Sequence, residues 1–321
     1  MLAVLLISAM RPHLKDVWRK AAFNAADIND RNEPMSYRAA VIGLVVAYVG
    51  MYLWLTLVGE VQPQLAVAVL SMTLAIFVAL SWLVAQGGLL FIHHAFSTTQ
   101  TMTVIEGTQA FSPPSLATSM IAEHVGWQDA REFMLPSLLN SQKAAAEMGI
   151  SSRTLTRAIA VCVVLAVVVS GAASIWLPYT HGGGTSLRNG WAYISSPQLP
   201  YEWSASLTQG GGHAMSPSGV LNIVAGALLV LVMSYCRTQF PWFQLHPAGF
   251  LAAGTWAMYT LWFSLLLGWI GKSCILRFGG MHLYRKLMPL FLGLIMGDCL
   301  SAIVWTVVGL ITHTGYMLLP N

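Results

Sequence analysis

The chain has 321 residues, 56% of them hydrophobic and only 9% charged, with a mean hydropathy of +0.65. Soluble globular domains carry about 25% charged residues, so the composition excludes an ordinary soluble domain and reads as a polytopic membrane protein. The formal net charge of +4 is too small and too dispersed for a nucleic-acid footprint, and the basic residues are useful chiefly for orienting the chain.

The first residues, "MLAVLLISAMRPHLK", hold about ten apolar positions with no positive n-region and no A-x-A cleavage signal. Residues 1–10 are therefore expected to be the end of a truncated membrane helix, followed by a basic segment over residues 11–38. A span needs about 20 consecutive apolar residues, and Ala39 to Gly59 and Leu65 to Ala85 meet this as a helical hairpin, residues 39–85. The Glu60 to Gln64 turn between them has no Lys or Arg.

Residues 87–157 form the largest block without a span. Its first part, "GGLLFIHHAFSTTQTMTVIEGTQAFSPPS", is too short to cross and too apolar for a free linker. Irregular backbone at membrane depth survives only against protein or a water-filled cavity, so residues 87–112 are expected to be re-entrant or cavity-lining. His93 and His94 lie here. Adjacent helical residues point about 100° apart, unlike the i, i+4 pair of a zinc helix; they are read as lining or interfacial residues, and no metal site is expected. Asp129 to Met148 reads as an amphipathic helix at the cytoplasmic surface, with Phe133, Met134, Leu138 and Leu139 apolar, Gly149 as its C-cap and Ser151 or Ser152 capping the next span.

Ala158 to Leu177 is the third span. The loop over residues 178–218, glycine-rich at 182–184 and 210–212 and carrying Trp191, Tyr193, Tyr201 and Trp203, has only Arg188 for a cation. It reads as an outer interfacial cover or as a lid. Gly219 to Cys236 is a further span. Leu245 to Gly271 has no formal charge but places Pro247, Gly249 and Gly254 in its first third, which predicts a broken first half and a firmer helix from about Trp256.

The last span, Leu287 to Ile311, contains Gly293, Gly297 and Ser301 at four-residue intervals, a spacing that lets another helix approach closely. Asp298 flanks this stripe. About thirteen Leu, Ile, Phe and Val residues, each contributing roughly −0.3 to −0.6 kcal/mol to insertion, outweigh the roughly +2.5 to +3.5 kcal/mol of a central Asp. The helix inserts, and the carboxylate is either a titrating group on a path or a hydrogen-bonded packing residue. Cys162, Cys236, Cys274 and Cys299 stand singly, without redox or metal spacing. No P-loop, nucleophile elbow or dinucleotide fingerprint supports an enzyme, and no cofactor is expected. The fold class is all-α: a transmembrane bundle of about five to six spans with re-entrant or interfacial segments, forming a single membrane domain over residues 1–321.

Residues 245 to 298, "LHPAGFLAAGTWAMYTLWFSLLLGWIGKSCILRFGGMHLYRKLMPLFLGLIMGD", resemble the C-terminal signature of a family of uncharacterised prokaryotic membrane proteins related to the oligopeptide transporter superfamily. "FMLPSLLNSQKAAAEMGIS" (133–151) and "RPHLKDVWRKAAF" (11–23) are similar to it too. Members of that family are generally longer at the N-terminal side. The resemblance implies a multi-pass inner-membrane protein, a secondary-transporter-like permease or its C-terminal half, moving a small peptide-like or chelate-like solute. Asp298, Ser301, His93, His94 and His246 are then the candidate substrate or proton path. The partners implied are the lipid bilayer and either a separate N-terminal half or a second copy, with no nucleic acid. The alternative is a non-transporting scaffold whose Gly293, Gly297 and Ser301 stripe serves assembly.

Cytoplasmic loops collect Lys and Arg. Arg11 to Arg38 holds six, Arg131 to Arg157 four and Lys272 to Lys286 four, yet three apolar segments lie between the second and third clusters, where an even number of crossings is required. Either Leu245 to Gly271 is re-entrant or the third cluster is outside. Single cysteines at Arg19, Lys143 and Lys286 are expected to be protected from an external thiol reagent, and those between residues 182 and 212 labelled. Labelling at Lys286 alone among the basic sites replaces the re-entrant segment with six plain crossings.

Overall fold

The computed structural model describes residues 2–30, 33–87, 97–127, 134–181, 191–209, 216–243, 245–254 and 256–312. Among these residues there is no strand; the elements are α1 (Leu2–Ala9), α2 (Arg11–Phe23), α3 (Tyr37–Leu53), α4 (Pro63–Gly87), α5 (Thr98–Glu106), α6 (Pro113–Trp127), α7 (Met134–Glu147), α8 (Ser152–His181), α9 (Ser196–Gln209), α10 (Pro217–Gln239), α11 (Pro247–Ala253) and α12 (Trp256–Thr312). Among the described residues five helices are long and apolar enough to cross a membrane: Tyr37–Val58, Pro63–Ala85, Ser152–Thr180, Pro217–Gln239 and Met258–Thr312. The chain is a multi-pass, all-α membrane protein. It falls into two units, Met1–Thr255 and Trp256–Asn321.

The first unit is organised around α4. Pro63 begins it, where the missing N–H costs nothing. Leu65, Ala66, Val69, Leu70, Thr73, Ile76, Ser81 and Leu83 then recur at helical spacing as its buried stripe. A third of this span is buried, whereas the other candidate spans are almost wholly exposed, the condition expected of helices that meet lipid or other chains. α3 runs beside α4, tied by a 3.0 Å hydrogen bond between the Tyr48 and Ser71 hydroxyls, and ends in a π-helical turn over Trp54–Val58 that directs Leu55 into the core. The α3–α4 turn meets α6: Gln62 N–H donates to Ser115 Oγ at 2.9 Å, and Val61, Leu65, Phe111 and Leu116 close one core cluster. At the other end of α4, Leu2 of α1 packs with Leu83.

α7 lies against α4 and α8; its buried residues are Pro136 and Ala145, while Met134 and Leu139 are exposed. Leu135 and Leu138 are half-buried beside them. Gly149 takes φ 71° after α7, and the Ser151 hydroxyl caps α8 by accepting from Thr154 N–H at 3.3 Å. The stretch expected as an outer loop carries structure of its own: α8 continues through Pro178 to His181, and α9 packs on α6. The glycine runs at 182–184 and 210–212 lie outside the described residues. The interruption foreseen from Pro247, Gly249 and Gly254 is present, since α11 covers only Pro247–Ala253 and the next helix starts at Trp256.

In the second unit the candidate span Met258–Thr312 has 55 residues, about 80 Å of helix against a hydrocarbon core of about 30 Å. It cannot be one crossing. Gly280, at φ 61° and ψ −167°, interrupts it in a conformation that side chains resist. The expected loop from Lys272 to Lys286 is therefore helical on both sides of one glycine, because Lys, Arg, Leu and Met favour helix and do not themselves break it.

Gly59 is a close backbone approach in the first unit: a Cβ there would lie 2.8 Å from the Leu55 carbonyl oxygen and 2.9 Å from Thr118 Cγ2. Gly59→Val is expected to lower stability by about 1–3 kcal/mol through overpacking. Gly43→Val and Gly50→Val, where nothing lies within 4 Å, should stay within about 0.5 kcal/mol of wild type, apart from the small helical preference of valine over glycine. Thermal unfolding in detergent or nanodiscs compares the three.

Candidate functional site: a buried carboxylate at the start of a short helix

α5 and α6 are only 9 and 15 residues long and both lie against α4. On α6, Ser115, Ser119 and Glu123 recur every fourth residue, so they share one face, and all three are buried, Glu123 at 5% exposure. Ser115 meets the α3–α4 turn; Glu123 lies eight residues on, about 12 Å further along the helix axis.

There the Glu123 carboxylate receives the start of α5. Oε2 accepts from the Ser97 hydroxyl at 2.5 Å and from Thr98 N–H at 3.1 Å. Oε1 accepts from Thr99 N–H at 2.7 Å and from the Thr99 hydroxyl at 2.6 Å. Ser97 is also the N-cap, its oxygen accepting from Gln100 N–H at 3.2 Å. The first three N–H groups of α5, which a helix leaves without intrahelical partners, are thus all satisfied by side chains. Among the described residues no Lys or Arg pairs with Glu123; the positive end of the α5 dipole is what faces it.

Two effects oppose each other at this carboxyl. Burial raises its pKa above the ordinary carboxylate value, while the hydrogen bonds from Ser97, Thr99 and Thr98 favour the anion; burial is the larger and the net direction is upward. Thr98 Oγ1 beside it is buried with no hydrogen-bond partner among the described residues.

The neighbouring His124 turns to the other side of α6. Its Nε2 is 3.0 Å from the Ser196 hydroxyl and its ring meets Trp203 edge-on at 6.0 Å, both on α9. Burial lowers its pKa, against the smaller opposite effect of the Ser196 hydrogen bond. α5 is fixed again further along, where Ser216 N–H, at the start of α10, donates to the Val104 carbonyl at 3.0 Å. Elements from four parts of the chain therefore converge on α5 and α6.

Of the residues singled out from sequence, His93 and His94 lie outside the described residues. His246 packs its ring 5.4 Å from that of Trp82 on α4. Gly293, Gly297, Asp298 and Ser301 lie on an exposed stretch of α12, and a Cβ on either glycine would meet nothing within 4 Å. Glu123 was not foreseen. Its signal is in "SLATSMIAE", residues 115–123, where the pattern S-x-x-x-S-x-x-x-E aligns three polar side chains on an otherwise apolar helix. Among the described residues no three His, Cys, Asp or Glu side chains assemble as a metal site.

A family profile described as "Family of unknown function (DUF6785)" matches residues 1–320. No curated protein and no solved structure matches the chain.

Replacing the carboxylate tests the cap directly. Glu123→Leu leaves buried N–H and O–H donors without an acceptor and should cost about 3 kcal/mol or more; Glu123→Gln keeps one acceptor oxygen and should cost about 1 kcal/mol. Because the folded pKa is raised, the Glu123 contribution is intact below the ordinary carboxylate range and is lost as pH rises through the raised value. Unfolding midpoints measured from acid to neutral pH should show that loss in wild type and not in Glu123→Gln.

Proposed function

The chain belongs to this family of unknown function over nearly its whole length, and on that footing we propose that it is a membrane permease whose cycle turns on protonation of Glu123. The observation that carries the proposal is the buried carboxylate engaged with the N-terminus of a short helix packed on a spanning helix. Broken helices whose N-termini face anionic groups are how secondary transporters build binding sites at membrane depth. With Glu123 ionised, its carboxylate occupies the Thr98 and Thr99 N–H groups. Once protonated, it gives up charge-assisted hydrogen bonds, and a solute carboxylate competes for the same donors. Such exchange couples one proton to one solute and suits peptide-like or chelate-like solutes, both rich in carboxylates. The resemblance read from residues 245–298 implies the same solute class.

Asp298, with Ser301 one turn away, and His246, with His93 and His94, remain the other proposed positions for substrate or proton. A scaffold is the competing function, favoured by one observation: the exposed Gly293, Gly297 and Ser301 stripe, which has the form of a helix-docking face.

Reconstituted vesicles loaded with a pH-sensitive dye, given an inward proton gradient and either trialanine or ferric citrate, decide between them. Wild type should acidify the lumen with solute uptake, and Glu123→Gln should lose at least tenfold of both while retaining its unfolding midpoint to within a few degrees. Asp298→Asn should reduce uptake. Undiminished gradient-driven uptake by folded Glu123→Gln refutes the role of Glu123, and no uptake by wild type with either solute favours the scaffold.

A further inference from the structure

A second site lies in the first unit, away from Glu123. A groove of about 350 Å³ opens between the segment leading into α3 and the first turns of α8, lined by Pro34, Ser36, Arg153, Arg157 and Ala160. We propose that it holds the phosphate of an anionic lipid headgroup.

The chemistry begins with Arg153. Its guanidinium is positioned by neutral acceptors, Nε donating to the Glu33 carbonyl at 3.3 Å and Nη2 to the Asp30 carbonyl at 3.0 Å. Those hydrogen bonds fix its direction without cancelling its charge. The two nearby carboxylates are engaged elsewhere: Asp30 accepts from Tyr37 N–H at 3.2 Å and Glu33 from the Tyr37 hydroxyl at 3.1 Å. Arg157 is one helical turn further along the same face and, among the described residues, neither arginine forms an ion pair. The N-terminal ends of α3 and α8, capped by Ser36 and Ser151, add two positive dipole ends. Guanidinium groups match phosphate geometry well.

Position selects a lipid over a free anion. Both α3 and α8 begin candidate spans, so the groove lies at the head of two membrane helices, the level of the headgroups. Below it the outer faces are apolar and exposed, with Ile42 and Val46 on α3 and Val161 and Val164 on α8. Acyl chains can lie along these faces while the phosphate meets the arginines. A soluble phosphate gains only the second contact.

The full chain in nanodiscs of phosphatidylcholine with one-fifth phosphatidylglycerol, analysed by native mass spectrometry after lipid stripping, tests this. Wild type should retain phosphatidylglycerol over phosphatidylcholine by at least fivefold relative to the bulk ratio, about the preference one arginine confers. Arg157→Gln, which removes no described contact, should reduce the preference toward parity at an unchanged unfolding midpoint, and Arg157→Lys should retain part of it. Arg153→Gln should lose it as well. No preference in wild type, or an equal preference in Arg157→Gln, overturns the proposal. So does inorganic phosphate at millimolar concentration raising the midpoint in detergent as much as phosphatidylglycerol does, since the site would then be one for a free anion.

Discussion

Everything in the first unit depends on how a short helix can begin inside an apolar protein. A nine-residue helix is too short to be stable alone, and its first N–H groups have no water to turn to in a membrane setting. The Glu123 carboxylate removes both obstacles together. It supplies acceptors for the backbone at Thr98 and Thr99, and it joins α5 to α6 through hydrogen bonds that neither helix could make by itself. The arrangement is polar and buried, so it is worth having only when complete; a half-satisfied version would be worse than an apolar contact.

That constraint explains why the surroundings are so particular. The Ser115 hydroxyl fixes α6 against the α3–α4 turn, the Val104 carbonyl receives the start of α10, and His124 reaches α9. Each contact limits where α5 and α6 can lie, and the exposed spans outside them make almost no comparable demands. The polar residues that fix geometry are thereby kept inside: hydroxyls, amides and one carboxylate lie among core residues such as Leu55, Val61 and Leu65, while Val46, Val161, Val164 and Leu221 on the spans are exposed. Proton-dependent chemistry fits the inner set because a change of charge at one atom pair alters several hydrogen bonds at once.

The sequence made the spans legible because a 20-residue apolar run has few other physical meanings, and it marked the breaks at Pro247 and Gly254 and the cap at Ser151 through backbone chemistry that is local. The site was less legible. Glu123 sits in a 15-residue helix, too short to register as a span, so its carboxylate did not stand out as Asp298 does against a long apolar run. Recognising it required the pairing of residues 97–99 with residue 123, a contact that no periodicity reveals. α9 was hidden by Pro197, Pro200 and the flanking glycines, which read as loop, although proline near the start of a helix is well tolerated. In α12 the charges at Lys272 and Lys286 suggested a loop, when Gly280 alone interrupts the helix.

The π-helical turn at Trp54–Val58 bears on where the chain tolerates a change of length. Gly59 N–H closes back on the Trp54 carbonyl at 3.0 Å, five residues behind it, so the turn accommodates one residue more than an α-helix would. Such a bulge takes up one extra residue between flanking turns whose positions are already anchored. Here the anchors are the Tyr48 hydroxyl of α3, bonded to Ser71 of α4, and the Gly59 backbone against Thr118. Length variation among relatives should therefore concentrate at this turn, where one residue can be gained or lost without rotating either anchor, and be rare in α4, where the same change would turn the buried stripe away from its neighbours.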